Sequence, residues 1–407
     1  MKKLYDHYIN NFKGLSHEIW ILSFVTFINR AGAMVIPFLS LYLVDEGGFT
    51  LKEVGWIMTC YGTGSFLGNL LGGVLTDKIG PYRTIVYSLF LGGLGFISLQ
   101  FLHSFWGICA GVFMLMLAVD FYRPAVFVAA DVYSKEGNVT RSIGLIRLAI
   151  NLGFIVGPVL GGFLIANVSY NSIFWIDGIS CMLASGLLFF LLKPKKSEKK
   201  EEKVVVVKEG MNPYQNVLFL LFIGIMILNS LAFAQYFSTV PLFYKQIHLL
   251  SEDTIGWLMF INGAMIVLLE MPIIGWVERI NMSKTTATFW GVFFLALSFI
   301  VLNSSSWGGV LVIGMILMTI GEMIGSPFSN ALALSMAPKG RKGSYMGLYS
   351  MSWSVSHIIA HNAGMNLIDG FGYNSTWTVI FVMLVITALL CLLLRKLLIK
   401  SPNFESY

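Results

Sequence analysis

Six ionisable side chains sit where the chain is otherwise apolar: Arg30, Asp120, Arg123, Arg147, Glu270 and Glu322. An ionisable group at mid-bilayer costs roughly 2.5–3.5 kcal/mol on insertion scales, so each needs a cavity, a partner or a task. A carboxylate can carry a proton, and a guanidinium can hold an anion through parallel hydrogen bonds. Glu322 is the best proton carrier, because it lies near a proline with no basic residue within four positions on its own helix. Asp120 and Arg123 are three apart and share a helical face. They either neutralise each other or handle substrate and proton. Arg147, four residues before Asn151, either pairs with Asp120 or contacts substrate. Arg30, beside Asn29, is central in its apolar run. Glu270 precedes Met271-Pro272, late in its run, where a gate or helix-end role competes with proton transfer.

Other polar groups join the candidates. His357 and His361 are four apart, hence on one face, with Asn362 next to them. Two imidazoles do not make a metal site, which wants three or four ligands. They are either a packed neutral pair or a proton or substrate contact. Asp177 reads as an outer-vestibule residue and Asp131 as a helix end. Tyr42, Tyr61, Asn69, Tyr122, Asn151, Asn229, Gln235, Tyr236, Asn262, Ser326, Asn330 and Trp353 are polar or aromatic lining candidates.

The elements that must position these groups follow from composition. Only 12% of the 407 residues are charged, 56% are hydrophobic and mean hydropathy is +0.76. A soluble chain averages about 25% charged residues, so a soluble enzyme and a disordered chain are both excluded. The four cysteines lie in apolar stretches, which argues against a disulfide scaffold. A helix needs about 20 apolar residues to cross the bilayer. The apolar runs predict twelve spans, at 19–44, 52–76, 83–103, 106–131, 141–166, 171–192, 214–245, 253–277, 284–303, 307–336, 342–368 and 374–398. The expected fold is an all-α membrane protein. The N-terminus reads as a cytoplasmic lead-in without a cleavable signal.

Lys and Arg placement orients the spans. With both termini in the cytoplasm, 22 basic residues fall inside, Lys52 and Lys245 fall outside, and three arginines remain in the membrane. The basic balance is therefore topogenic and needs no nucleic-acid partner. The mixed Lys/Glu stretch at 193–212 predicts a cytoplasmic linker between N-terminal (1–192) and C-terminal (213–407) six-helix bundles. The halves repeat. Val54-Gly55-Trp56-Ile57-Met58 recurs as Ile255-Gly256-Trp257-Leu258-Met259, and Pro124, Gly144 and Gly161 meet Pro327, Gly347 and Gly364 at a constant offset. Such repeats build a central site that opens alternately to each side.

Two motifs carry a family resemblance. After the second span stands Gly73-Val-Leu-Thr-Asp77-Lys78-Ile-Gly80-Pro-Tyr-Arg83, with Tyr82 at one usually basic position. This resembles the cytoplasmic signature of the major facilitator superfamily. The fifth span carries Gly153-Phe-Ile-Val-Gly157-Pro158-Val-Leu-Gly161-Gly162, similar to the signature of that superfamily's proton-driven exporters. The arginine that drug:proton exporters place early in the fourth span is replaced by Val112. A second resemblance lies in Gly321-Glu322-Met-Ile-Gly-Ser326-Pro327, similar to the tenth helix of proton-coupled peptide transporters, whose basic residues on the first and fourth helices bind a carboxylate. Their E-x-x-E-R-F signature is absent.

The resemblance implies two pseudo-symmetric bundles and alternating access, with no cofactor beyond the proton gradient. It implies a monomer in the bacterial plasma membrane, working on protons and a small molecule. The leading reading is an antiporter exporting small amphipathic molecules or drugs. Glu322, Asp120 and Glu270 are its proton-coupling residues. Arg30, Arg123, Arg147, Asn151, Tyr122, Gln235, Tyr236, Asn262, His357 and His361 are its substrate contacts. The alternative is a symporter importing an anionic or zwitterionic nutrient such as a short peptide.

Overall fold

The computed structural model describes residues 12–195, 211–305 and 307–400; most of the expected linker therefore lies outside the described residues. Every regular element among them is helical. That is what hydrocarbon demands, since an unpaired backbone group there has no water to bond. We number the α-helices α1 His17–Ala31, α2 Val35–Asp45, α3 Leu51–Ile79, α4 Pro81–Leu99, α5 Phe105–Val119, α6 Tyr122–Tyr133 and α7 Val139–Asn167. They continue as α8 Tyr170–Leu191, α9 Val217–Gln235, α10 Val240–Gln246, α11 Glu252–Arg279, α12 Lys284–Leu302, α13 Gly309–Met336 and α14 Lys342–Ile399. α14 bends at Gly372, whose φ of 74° lies in the left-handed region, and so supplies two spans.

These helices form the twelve expected spans. α1 with α2, α5 with α6 and α9 with α10 each make one span broken by a lost turn. Ten spans are long and apolar enough to cross a membrane by composition. The exceptions are α3 and the first part of α14. Their polar and glycine-rich sequences lower the mean hydropathy, although both are continuous helices. Large apolar side chains stand exposed, among them Phe190, Trp106 and Val159. In water such a surface would aggregate; in a bilayer it is the lipid-facing side.

Side-chain caps fix several helix starts. Ser16, Thr50, Ser104, Asn216, Ser251 and Ser283 each accept a hydrogen bond from a first-turn backbone N–H. Thr50 and Glu53 form a reciprocal capping box.

The chain divides into two compact units. Among the described residues, one holds 14–195 together with 338–351; the other holds 12–13, 211–305, 307–337 and 352–400. In the first unit the broken spans lie against glycines. Gly64, Gly68 and Gly72 of α3 face the backbone of α5 and of the break that follows it: a Cβ at Gly72 would stand 2.5 Å from Phe121 Cα. Gly153 and Gly157 of α7 meet the backbone around the α1–α2 break, and Gly161 meets the Met34 and Phe38 side chains beyond it. In the second unit Gly291 of α12 meets Gly321 and Gly325 of α13, where an added Cβ would lie 2.5 Å from Gly325 Cα. Small residues permit this approach, and dispersion then holds helices together where lipid supplies no hydrophobic drive.

A Cβ at Gly153 would lie 2.4 Å from Arg30 Cβ and 2.8 Å from Arg30 carbonyl carbon. Gly153→Ala should therefore cost about 1–3 kcal/mol by overpacking. Thermal unfolding of the purified protein reads this; an unchanged Tm would show that α1 can retreat.

Candidate functional site

Each unit contains its own polar cluster. In the second unit the cluster is built by α11 and α13. Asn262, on α11, donates from Nδ2 to Glu322 Oε2 at 3.2 Å and to Thr319 Oγ1 at 3.1 Å. Thr319 in turn donates to the Met315 carbonyl one turn back. Asn262 and Thr319 are buried, whereas Glu322 is half-buried and keeps an open side.

That open side looks into a small pocket between α9, α12 and α13, closed by Trp353. Met226, Phe233, Val292, Leu295, Met318 and Trp353 supply most of its wall, and Asn229, Thr288, Ser326 and Ser329 supply scattered polar groups. Phe233 and Trp353 meet edge to face, with ring centroids 5.5 Å apart. A mainly apolar and aromatic wall with one carboxylate suits an amphipathic molecule.

In the first unit, Arg30 ends α1, Asp120 lies at the α5–α6 break and Arg123 opens α6. Ser65 hydrogen-bonds the Asp120 carboxylate, and Arg123 and then Arg30 act on it through charge. Tyr61 is within electrostatic reach of Asp120, Arg30 and Arg123. The Tyr122 hydroxyl is 2.6 Å from Thr26 Oγ1. The Arg30 guanidinium lies 5.9 Å from the Tyr122 ring centroid and 5.6 Å from that of Phe154. In the repeat register that pairs Val54 with Ile255, Tyr61 corresponds to Asn262 and Asn69 to Glu270. Each unit thus sets a polar side chain of its second helix beside the acid of its fourth span.

The structure brings Glu322 and Asn262 together, and likewise Arg30, Asp120, Arg123 and Tyr122. It places the other candidates elsewhere. Gln235 is buried at the end of α9: its Nε2 donates to the Ala360 carbonyl at 2.7 Å, and its Oε1 accepts from Thr239 at 2.7 Å. Its amide therefore closes the α9–α10 break. Tyr236 is fully buried and donates to the Gly314 carbonyl at 3.3 Å. Glu270 is fully buried in α11, and Arg147 and Asn151 are half-buried in α7. The side chains of His357, His361 and Asn362 lie outside the described residues.

Asp177 is where the sequence reading is corrected. It is not a vestibule residue: it is fully buried, and its two carboxylate oxygens accept from the backbone N–H of Met34 at 2.7 Å and Val35 at 2.8 Å. Those are first-turn donors of α2, which an uninterrupted helix would have satisfied. Asp177 thus caps the second half of the first span from α8, and its charge complements the helix N-terminus. Cys181, one turn further along α8, accepts from Asn29 Nδ2 at 3.2 Å. The one available signal was a lone acid in an apolar run, with no mark of its partner.

Near the ends of α3 and α6, two acids bind the start of α14. Asp77 accepts from the backbone N–H of Gly343 at 2.6 Å and of Ser344 at 2.7 Å, and also from the Ser344 hydroxyl. Asp131 pairs with Lys342. Gly73 packs on Gly343 and Gly347, so the motif's glycine provides the close approach and its acid the cap. Lys78 and Arg83 are exposed.

Repeated halves of membrane-length helices, each with polar groups buried at its own helix breaks, are the build of a multi-pass membrane carrier. A family model described as Major Facilitator Superfamily matches residues 19–360 and 222–406, and the chain belongs to that superfamily. It is a transport protein and not an enzyme. It is similar to an uncharacterized MFS-type transporter, YttB, of Bacillus subtilis, with 26% identity over 92% of this chain and 94% of that one. A Na(+), Li(+), K(+)/H(+) antiporter of Planococcus maritimus is 21% identical over 85% of this chain and 88% of that one. The quinolone resistance protein NorA of Staphylococcus aureus is 29% identical over 42% of this chain and 44% of that one. Among solved structures, a bacterial homologue of the iron transporter ferroportin in its outward-facing state superposes with a TM-score of 0.77, at 16% identity over 93% of this chain and all of that one.

Proposed function

We propose that this transporter is a proton-coupled antiporter that exports small amphipathic organic molecules across a bacterial plasma membrane, with both termini in the cytoplasm. The observation that carries this reading is Glu322. It is a half-buried carboxylate on the wall of an apolar, aromatic cavity, steadied by Asn262 but not neutralised by it. A carboxylate there can bind a proton or a polar substrate group, and the two compete for the same oxygens. Competition of that kind is what exchange requires: one occupant leaves as the other arrives. Relatives named as a cation/proton antiporter and a quinolone resistance protein support exchange and small-molecule export. The exporter-type glycines of α7 support it as well, because they meet the first span at its break.

Purified protein in liposomes with a lumenal pH dye tests the reading. With a candidate compound inside and acid outside, the compound should leave while the lumen acidifies. Accumulation of an anionic or zwitterionic compound inside, driven by the same gradient, would overturn export in favour of symport.

A further inference from the structure

Gly64, Gly68 and Gly72 recur at every fourth position of α3 and meet α5 and the break after it in a fixed register. A Cβ at Gly64 would lie 2.5 Å from the Phe113 carbonyl oxygen, and one at Gly68 2.8 Å from that of Leu117. Gly72 meets Phe121 in the same way. The numbers rise together, so the helices run parallel, with each contact 49 positions further along the chain. One turn back along both helices, the same step pairs Cys60 with Cys109. Their side chains meet there: the Cys60 thiol is a hydrogen-bonding neighbour of Cys109. Both thiols are free, Cys109 buried and Cys60 half-buried, in one apolar cluster with Ile57, Phe105 and Val112. Where the next residue of the glycine row would stand, the seam is filled by two sulfurs.

We infer that Cys60 and Cys109 form a dithiol site for thiophilic centres that bond two sulfurs and end neutral: mercury(II) or an organic arsenic(III) compound. Thiolates are the ligands that soft metals select. The apolar surroundings then choose among such metals by charge, because a net charge left in the cluster is costly. Mercury(II) displaces one proton from each thiol and bonds both sulfurs, and the charges cancel. Phenylarsine oxide loses its oxygen as water, with one hydrogen from each thiol, and forms two As–S bonds. Arsenic stays trivalent and the product is neutral. Copper(I) or silver(I) on the same two thiolates would leave a negative charge among apolar side chains. Zinc prefers a fuller, tetrahedral set, and among the described residues no three His, Cys, Asp or Glu come together. Half-buried Cys60 gives entry, and Cys109 behind it closes the chelate. Backbone already lies on backbone along this seam, so the second bond forms without drawing the helices together. The inference is independent of the direction of transport and of its coupling.

The test uses purified, pre-reduced full-length protein with Cys181 and Cys391 replaced by Ala, and phenylarsine oxide as the probe. Intact-protein mass spectrometry should show one phenylarsenic per chain in place of two hydrogens. Stripping that adduct should take at least about a hundredfold more 2-mercaptoethanol than stripping the adduct of Cys60→Ala or Cys109→Ala, because the second As–S bond is intramolecular. The dithiol 2,3-dimercaptopropanol should remove it readily. Mercury(II) should compete for the site and zinc should not. Loading should raise Tm, since the bridge ties two helices that are already in place. Equal stripping of the parent background and the single variants would overturn the site, and Cys60→Ala decides this alone if Cys109→Ala fails to fold. A parent background that reacts only after denaturation would overturn it too. So would competition by zinc, or a Tm lowered by loading, which would mean that the thiols must be pulled together.

Discussion

Glu322→Gln should reduce proton-driven transport in liposomes by about tenfold or more, in line with what a positioned proton-transfer group contributes. The same variant should still exchange labelled for unlabelled substrate at equal pH. The substitution is nearly isosteric. Its amide oxygen can still accept from Asn262, and the cavity wall keeps its shape. The amide stands in for the protonated carboxyl: the charge and the ability to exchange a proton disappear, while a hydrogen-bonding group for the substrate remains. Exchange at equal pH asks the protein to bind, turn and release, none of which needs titration. Coupling asks for a site whose occupancy alternates between proton and substrate. If Glu322→Gln retains coupling, the carrier of the proton lies elsewhere, and Asp120 and Glu270 are the next carboxylates to replace.

The second large effect is expected at Asp177. Asp177→Ala leaves the buried Val35 N–H without its acceptor, a loss worth about 1–3 kcal/mol, and takes from the Met34 N–H one of two acceptors, the Gly32 carbonyl at 2.8 Å remaining. The total loss should be about 1–3 kcal/mol, read as a lower Tm in detergent. Asp177→Asn keeps one acceptor oxygen and should fall between. A local readout accompanies the global one. Cys181, one turn along α8, is buried and bonded to Asn29. In a background with Cys60, Cys109 and Cys391 replaced by Ala, maleimide should label Cys181 slowly in the parent and faster in Asp177→Ala. Unchanged Tm and labelling would mean that the break in the first span holds without its cap.

The twelve spans were readable in the sequence because each is a long apolar run bounded by charge, a signal that survives averaging over twenty residues. Asn262 was legible as a polar lining candidate just beyond the repeated block that ends at Met259, and Glu322 as a proton carrier, but nothing in the sequence marked the two as partners. The helix breaks were not. A lost turn at Gly32, Asp120 or Tyr236 leaves the hydropathy of its run unchanged. It shows only in which side chain rescues the freed backbone groups. Those rescuers are remote in the chain: Asp177 is 143 residues from Met34, and the Ala360 carbonyl that holds Gln235 is 125 residues away. A candidate list built from polar residues in apolar runs therefore mixes two populations that look alike in sequence. Asp177 and Gln235 spend their polarity on backbone, whereas Glu322 is held by a side chain and lines a pocket.

The glycine contact between α12 and α13 has a mechanical side. Gly321 and Gly325 bracket Glu322 along α13, and both touch Gly291, so backbone lies on backbone next to the carboxylate. Two helices seated so closely cannot slide or roll past each other without collision. They form one plank, and Glu322 is fixed to it like a peg. When the second unit changes shape, α12 must travel with the acid, and the freedom to open or close around it belongs to α9, α11 and α14. A disulfide tying α12 to α13 should leave transport untouched, while one tying α11 to α13 should stop it.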